Sequence, residues 1–174
     1  MALQKVLFLD VDGVLNKLGT PQRNPHGARG VDPLMCAELK RIVDQTGCDI
    51  VLSSTWRKFD DLVEYLFAKL DPSVRRAIIG KTEVLGCGVR GEEIQLWLDS
   101  NTSVSQFVIV DDDADMVHLT GMLVPTNDFE GLTAEIADKI IDRLNNPIPE
   151  YKDDNEHGDF RSTRFASEDD SLGE

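Results

Sequence analysis

The chain has 174 residues, 41% hydrophobic and 29% charged, with 18 basic against 32 acidic side chains and a formal net charge of −14. That length suits one globular domain, and the apolar fraction is too high for a chain disordered throughout. The negative charge counts against a general binder of nucleic-acid backbone or anionic membrane, which needs clustered Lys and Arg, and no apolar run reaches the roughly 18–20 residues of a membrane span.

The start, Met-Ala-Leu-Gln-Lys, leads directly into a patterned segment without a signal-peptide layout, so the expected location is the cytoplasm. Residues 4–11 form a nearly continuous apolar run, which predicts a strand buried on both faces of a parallel sheet. Residues 16–30 hold Gly19, Pro21, Pro25 and Gly27, with Arg23, His26 and Arg29 among them, and predict a loop or flap. Asp32-Pro33 is an N-cap followed by Pro at the first helical position, and Met35, Leu39, Ile42 and Val43 continue at helical spacing until Gly47. Residues 48–54 predict a second buried strand. Phe59, Leu62, Val63, Leu66, Phe67 and Leu70 then mark an amphipathic helix that Pro72 breaks.

A third strand is ambiguous between residues 77–79 and 82–85, because glycines interrupt the pattern. From Gly91, Ile94, Trp97 and Leu98 share a helical face. Phe107-Val-Ile-Val110 predicts a further buried strand ending at Asp111-Asp112-Asp113, and Met122-Leu-Val124 a short one. Thr133 caps a last helix carrying Ile136, Ile140 and Leu144. Alternating strands and helices predict a three-layer α/β sandwich, Rossmann-like, around a mostly parallel sheet over residues 1–147. Residues 148–174 predict a disordered acidic tail, since from Glu150 onward nine acidic residues face three basic ones with little apolar patterning. Cys36, Cys48 and Cys87 lack metal-ligand spacing and disulfide density, and predict buried free thiols.

In open α/β sheets ligands bind beyond the carboxyl ends of the strands, so polar residues directly after buried runs carry the functional signal. Four segments supply them: Asp10 and Asp12 after the first strand, Ser53-Ser54-Thr55 after the second, Arg90 before a helix, and Asp111-Asp112-Asp113 with Asp115 after a later strand. Acidic groups from two strand ends require a cation between them at neutral pH, and hard oxygen ligands suit Mg²⁺. A hydroxyl and a guanidinium complete a phosphate site, which points to phosphoryl transfer.

Asp10-Val-Asp12-Gly-Val-Leu after an apolar strand resembles the first motif of the haloacid dehalogenase (HAD) superfamily. Ser-Ser-Thr-Trp-Arg resembles its second motif, Arg90 in Val-Arg-Gly-Glu-Glu-Ile stands where its third-motif cation would be, and Val-Ile-Val-Asp-Asp-Asp-Ala-Asp resembles its fourth. The resemblance implies Asp10 as nucleophile and metal ligand, Asp12 as general acid and base with a metal-ligating carbonyl, Ser53 or Ser54 as the phosphate-binding hydroxyl, and Arg90, with Lys81 as a rival, as the phosphate-binding cation. Asp111 and Asp112 are the implied further metal ligands, with Asp115 in support. Asn16, Arg23 and Arg57 are candidate substrate contacts.

The spacing between motifs leaves no room for a full cap domain. The resemblance therefore implies a minimal, open phosphatase with Mg²⁺ as cofactor, similar to the HAD domains grouped with RNA-repair proteins. The expected reaction is phosphomonoester hydrolysis through an aspartyl-phosphate, on a nucleotide or other accessible phosphomonoester. A polynucleotide 3′-end phosphatase and an inactive HAD-fold binding protein are the alternatives. The expected partner is thus a phosphomonoester, which includes a nucleic-acid end but no long nucleic-acid footprint and no membrane, and the chain is expected to be a monomer or small homo-oligomer.

Overall fold

The apolar run at the start of the chain lies in the middle of the sheet. The computed structural model describes residues 4–86 and 88–146. Within them β1 (Gln4–Leu9), β2 (Asp49–Leu52), β3 (Ile78–Lys81), β4 (Val104–Asp111) and β5 (Leu123–Pro125) are joined through α1 (Pro33–Thr46), α2 (Asp60–Lys69), α3 (Pro72–Ala77), α4 (Arg90–Ser100) and α5 (Ala134–Asn145). All strand pairs are parallel, in the order β3-β2-β1-β4-β5.

β1 is buried on both faces, as its unbroken apolar pattern predicts. Leu7 and Leu9 pack with Leu39 and Ile42 of α1, Leu66 of α2, Val74 of α3 and Ile140 of α5. Val6 and Phe8 face the other layer, with Ile94 of α4, Met116 and Leu119. The Phe8 ring meets Trp97 and Phe107 edge-on, at centroid distances of 5.5 and 5.9 Å. Truncating such a buried ring to Ala costs about 3–5 kcal/mol, so this contact anchors α4 to the sheet.

The helix ends follow local chemistry. The Asp32 carboxylate accepts from Leu34 N at 2.9 Å, Pro33 opens α1, and Gly47 closes it at φ 64°. Thr133 caps α5 by accepting from Ile136 N. Two sequence expectations change. Phe59 stands outside α2 as its N-cap residue, 46% exposed, because a 3-10 turn at Thr55–Lys58 precedes the helix. The third strand takes Ile78–Lys81, sharing Ile78 and Ile79 with the first candidate segment and stopping short of the second; it is an edge strand with Ile79 turned outward, so its apolar pattern is weak.

The flap at residues 16–30 is fastened to the domain. Asn24, buried, accepts from His26 N and Ala28 N and donates to Arg29 O, and Arg23 and Arg29 form an antiparallel bridge. Leu18 N donates to Asp128 O. Between Asp12 and Ser53 lie only this flap, α1 and β2, and between Thr55 and Arg90 the described residues form only the 3-10 turn, α2, α3, β3 and connections, so no cap domain stands over the sheet among the described residues. Cys36 and Cys48 are free, Cys48 buried as expected and Cys36 only half-buried. Cys87 and the tail expected over 148–174 lie outside the described residues. No helix among the described residues is long and apolar enough to cross a membrane.

Candidate active site

Strand register lays a row of polar residues across the carboxyl edge of the sheet. Val110, Leu9, Leu52 and Lys81 are level on β4, β1, β2 and β3, so the next residues, Asp111, Asp10, Ser53 and Thr82, form the following row. Ladder bonds hold them there: Asp10 N donates to Val110 O, Ser53 N to Leu9 O and Thr82 N to Leu52 O, at 2.9–3.1 Å. Beyond β4, Thr126 N donates to Asp111 O. Asp111 Oδ2, Ser53 Oγ, Thr82 Oγ1 and Thr126 Oγ1 are all buried without a hydrogen-bond partner among the described residues. Each such group costs about 1–3 kcal/mol when unpaired. Four along one edge mark a surface arranged for a polar ligand.

The row is centred on β1 and β4, where successive strands switch from being added on one side of β1 to the other and where ligands of open α/β sheets bind. Here carboxylate oxygens of Asp10, Asp111 and Asp112 all lie within 4.8 Å of one another. Burial raises Asp10 to about 6, with Arg90 opposing, and raises Asp111 to about 7 together with the neighbouring Asp10 charge. Asp112 is raised by burial and by Asp128. Three carboxylates held this close call for a cation. Oxygens around Mg²⁺ at about 2.1 Å are at most about 4.2 Å apart, so small side-chain shifts would close this cluster on one ion, and the unpartnered Asp111 Oδ2 is a ready ligand.

Arg90 stands over the same cluster. Its guanidinium is 3.6 Å from Asp10 Oδ1 and 3.8 Å from Asp111 Oδ2, beyond hydrogen-bond length, and its Nη1 is buried without a hydrogen-bond partner. Asp115 positions it by accepting from Arg90 N at 3.0 Å, while the Asp115 carbonyl accepts from Gly91 N. A Cβ on Gly91 would run into the Met116 carbonyl, so only glycine lets α4 begin this close to the acidic loop. Gly13, at φ 69°, plays the same part for the first motif, since a Cβ there would meet the Asp112 carboxylate. Lys81, the rival cation, instead gives its Nζ to the Arg57 carbonyl at 3.1 Å.

Asp12 lies outside the three-carboxylate cluster and is held at both oxygens. Asn16 Nδ2 donates to Oδ1 and Trp56 Nε1 to Oδ2, each at 2.8 Å, and Asn16 Oδ1 accepts from Gly13 N, which fixes the amide orientation. Asn16 is fully buried, so it braces Asp12 from inside the protein. The two serines differ. Ser54 Oγ caps the 3-10 turn by accepting from Trp56 N, whereas Ser53 Oγ is unpartnered.

Arg57 requires a correction. It is buried, and its guanidinium donates to Glu93 Oε2 at 2.5 Å and to the carbonyls of Ser53, Ser54, Thr82 and Glu83 at 2.7–3.0 Å. All its nitrogens are engaged within the protein, so it shapes the second motif and has no free donor to offer a substrate. The flap cations are also largely committed: His26 pairs with Asp61 and Arg29 with Asp128, while Arg23 is exposed and donates to the Thr20 and Gln22 carbonyls.

Sequence reasoning missed Trp56 as a partner of Asp12, Glu93 as the counter-ion of Arg57, and Thr82 and Thr126 as members of the row. The two threonines carried a usable signal, each being the first residue after a strand. Together the edge can hold a hard divalent cation on Asp10, Asp111 and Asp112 and a tetrahedral oxyanion between Ser53 and Arg90. No curated protein matches the chain closely enough to be named as a relative. The family model for the HAD domain in Swiss Army Knife RNA repair proteins matches residues 6–137, which include the sheet from Val6 onward and every residue of this site, and the chain belongs to that HAD family.

Proposed function

We propose that this HAD domain is a Mg²⁺-dependent phosphomonoester hydrolase that acts through an aspartyl-phosphate on Asp10. The observation that carries the reading is the convergence of Asp10, Asp111 and Asp112 carboxylates within 4.8 Å beside Arg90. The ion, bound by these three and the Asp12 carbonyl, would offset their charge and polarise a phosphoryl oxygen. Ser53 Oγ and Arg90 Nη1 hold the other phosphoryl oxygens; neither has a hydrogen-bond partner among the described residues, and a guanidinium fork suits phosphate. The charge around the phosphoryl group lets the weakly nucleophilic Asp10 carboxylate attack phosphorus. As the ester bond breaks, the leaving oxygen takes the proton of Asp12. Water then gives a proton back to Asp12 and attacks the same phosphorus, releasing phosphate and restoring Asp10. Asn16 and Trp56 keep Asp12 aimed through both steps.

With no cap over the site among the described residues, the substrate can be larger than a free nucleotide. The RNA-repair setting of the family favours a polynucleotide 3′ end as the alternative to a free nucleotide. The test is phosphate release from p-nitrophenyl phosphate and a nucleotide panel, with and without Mg²⁺. Mg²⁺-dependent release that disappears in Asp10→Asn supports the proposal, and release unchanged in that variant contradicts it. Binding of phosphorylated ligands without turnover would identify an inactive HAD-fold binding protein instead.

A further inference from the structure

The row of strand-end polar groups does not stop at the reacting centre. One strand beyond Ser53, Thr82 is 2% exposed, and its Oγ1 is buried with no partner among the described residues. Thr82 lines a cavity of about 620 Å³ together with Arg57, Lys58, Lys81, Glu83 and Val84. That volume falls within the range of about 300–1,000 Å³ typical of small-molecule sites.

The charge of this cavity is set by few groups. Arg57 is neutralised by Glu93 in a buried pair. Lys58 and Lys81 remain, both exposed, against the single exposed carboxylate of Glu83, and neither lysine is held by a carboxylate among the described residues. In a chain of net charge −14, this is a locally cationic cavity lined in part by Thr82, whose buried hydroxyl has no hydrogen-bond partner among the described residues. It adjoins the candidate site through the backbone: Lys81 is level with Leu52, the residue before Ser53, and Arg57 ties the Ser53 and Ser54 carbonyls to those of Thr82 and Glu83. Neighbouring strands lie about 4.8 Å apart, so Thr82 is two spacings, roughly 10 Å, from Asp10.

We propose that Lys58, Lys81 and Thr82 form a subsite for a second phosphate of the substrate, next to the site that takes the scissile one. The inference rests on the phosphatase reading and gives it a substrate class: a phosphomonoester that carries another phosphate within the span of one nucleoside. Both a terminal phosphate of a nucleoside bisphosphate and the phosphodiester of an oligonucleotide end have this chemistry. A substrate with a single phosphate leaves the subsite to water.

The experiment compares the native chain with a Lys58→Gln/Lys81→Gln variant on p-nitrophenyl phosphate, a nucleoside monophosphate, a nucleoside 3′,5′-bisphosphate and a dinucleotide with a terminal 3′-phosphate. In the native chain kcat/KM for at least one of the last two exceeds the monophosphate by about tenfold, the size expected of charge-assisted hydrogen bonds, and the gain lies in KM. In the variant that excess disappears while p-nitrophenyl phosphate turnover is unchanged. Preference for the dinucleotide alone identifies a polynucleotide end, and preference for both identifies any second phosphate. An excess that is absent in the native chain, or equal in both proteins, overturns the subsite. If the native chain hydrolyses none of the four, the phosphatase reading falls, and the subsite is read by titrating the bisphosphate and the dinucleotide: tighter binding of either to the native chain than to the variant upholds it, and equal binding removes it.

Discussion

Trp56 Nε1 donates to Asp12 Oδ2 at 2.8 Å, so the aromatic residue of the second motif steers the carboxylate of the first. Trp56 is 3% exposed and tilted against Tyr65, which makes it rigid enough for the task. Trp56→Phe keeps most of the packing and removes the donor. General acid catalysis contributes about 10²–10⁴-fold, and losing one of two orienting bonds is expected to lower kcat about tenfold. The loss is expected to be larger on alkyl phosphates than on p-nitrophenyl phosphate, whose leaving group needs little protonation. Equal losses on both would show that Trp56 acts through packing alone.

Ser53 and Ser54 separate by what their hydroxyls already touch. Ser54 Oγ caps the 3-10 turn, so Ser54→Ala is expected to cost about 1 kcal/mol of stability in a urea titration. Ser53 Oγ has no internal partner to lose. Ser53→Ala is therefore expected to leave stability unchanged while weakening turnover at least tenfold, since a hydrogen bond to a charged phosphoryl oxygen is worth about 1.5–3 kcal/mol. A stability loss in Ser53→Ala matching that of Ser54→Ala would place both hydroxyls in the scaffold.

The Arg57–Glu93 pair is the charged part of the scaffold beneath this motif. Arg57→Met strands Glu93 in the interior and is expected to destabilise the protein by about 3–5 kcal/mol, measured by denaturant unfolding. Replacing both, as Arg57→Met/Glu93→Leu, is expected to recover a large part of that loss. A double variant as unstable as the single one would show that the carbonyl contacts of Arg57, not the ion pair, carry its contribution.

The acidic cluster links stability to pH. Asp10 and Asp111 are raised from 3.8 to about 6 and about 7, so between about pH 4 and 7 the folded chain holds more protons than the unfolded one. Without metal, the contribution of these groups is full below about pH 4 and is lost as pH rises through 6–7. The melting temperature of the metal-free protein is expected to be lower at pH 7.5 than at pH 5.5, and Mg²⁺ is expected to raise it at pH 7.5. Asp10→Asn removes part of the repulsion, so it is expected to melt several degrees higher than the native metal-free chain at pH 7.5 and to respond less to pH. A lower melting temperature for that variant would contradict the electrostatic account.

What the sequence disclosed was whatever depends on neighbours along the chain. Unbroken apolar runs marked β1 and β4, Asp32-Pro33 and Thr133 marked helix starts, and the acids after β1 and β4 stood out because nothing in a strand pattern requires them. What escaped depends on groups brought together from afar. Arg57 looked available because its counter-ion sits 36 residues later, and Trp56 gave no sign of its part because the carboxylate its indole meets is 44 residues earlier. β3 was ambiguous since this edge strand only half-buries alternate residues, and without β3 in register Thr82 could not join the row.

The central claim is that Asp10 carries the phosphoryl group between substrate and water. Acid-quenching the Mg²⁺-loaded protein during turnover of a phosphate-labelled monoester, followed by peptide mapping, tests it most directly. The account predicts acid-stable label on the peptide containing Asp10 and none in Asp10→Asn. Turnover with no label on the protein, and phosphate release at the native rate by Asp10→Asn, would contradict it.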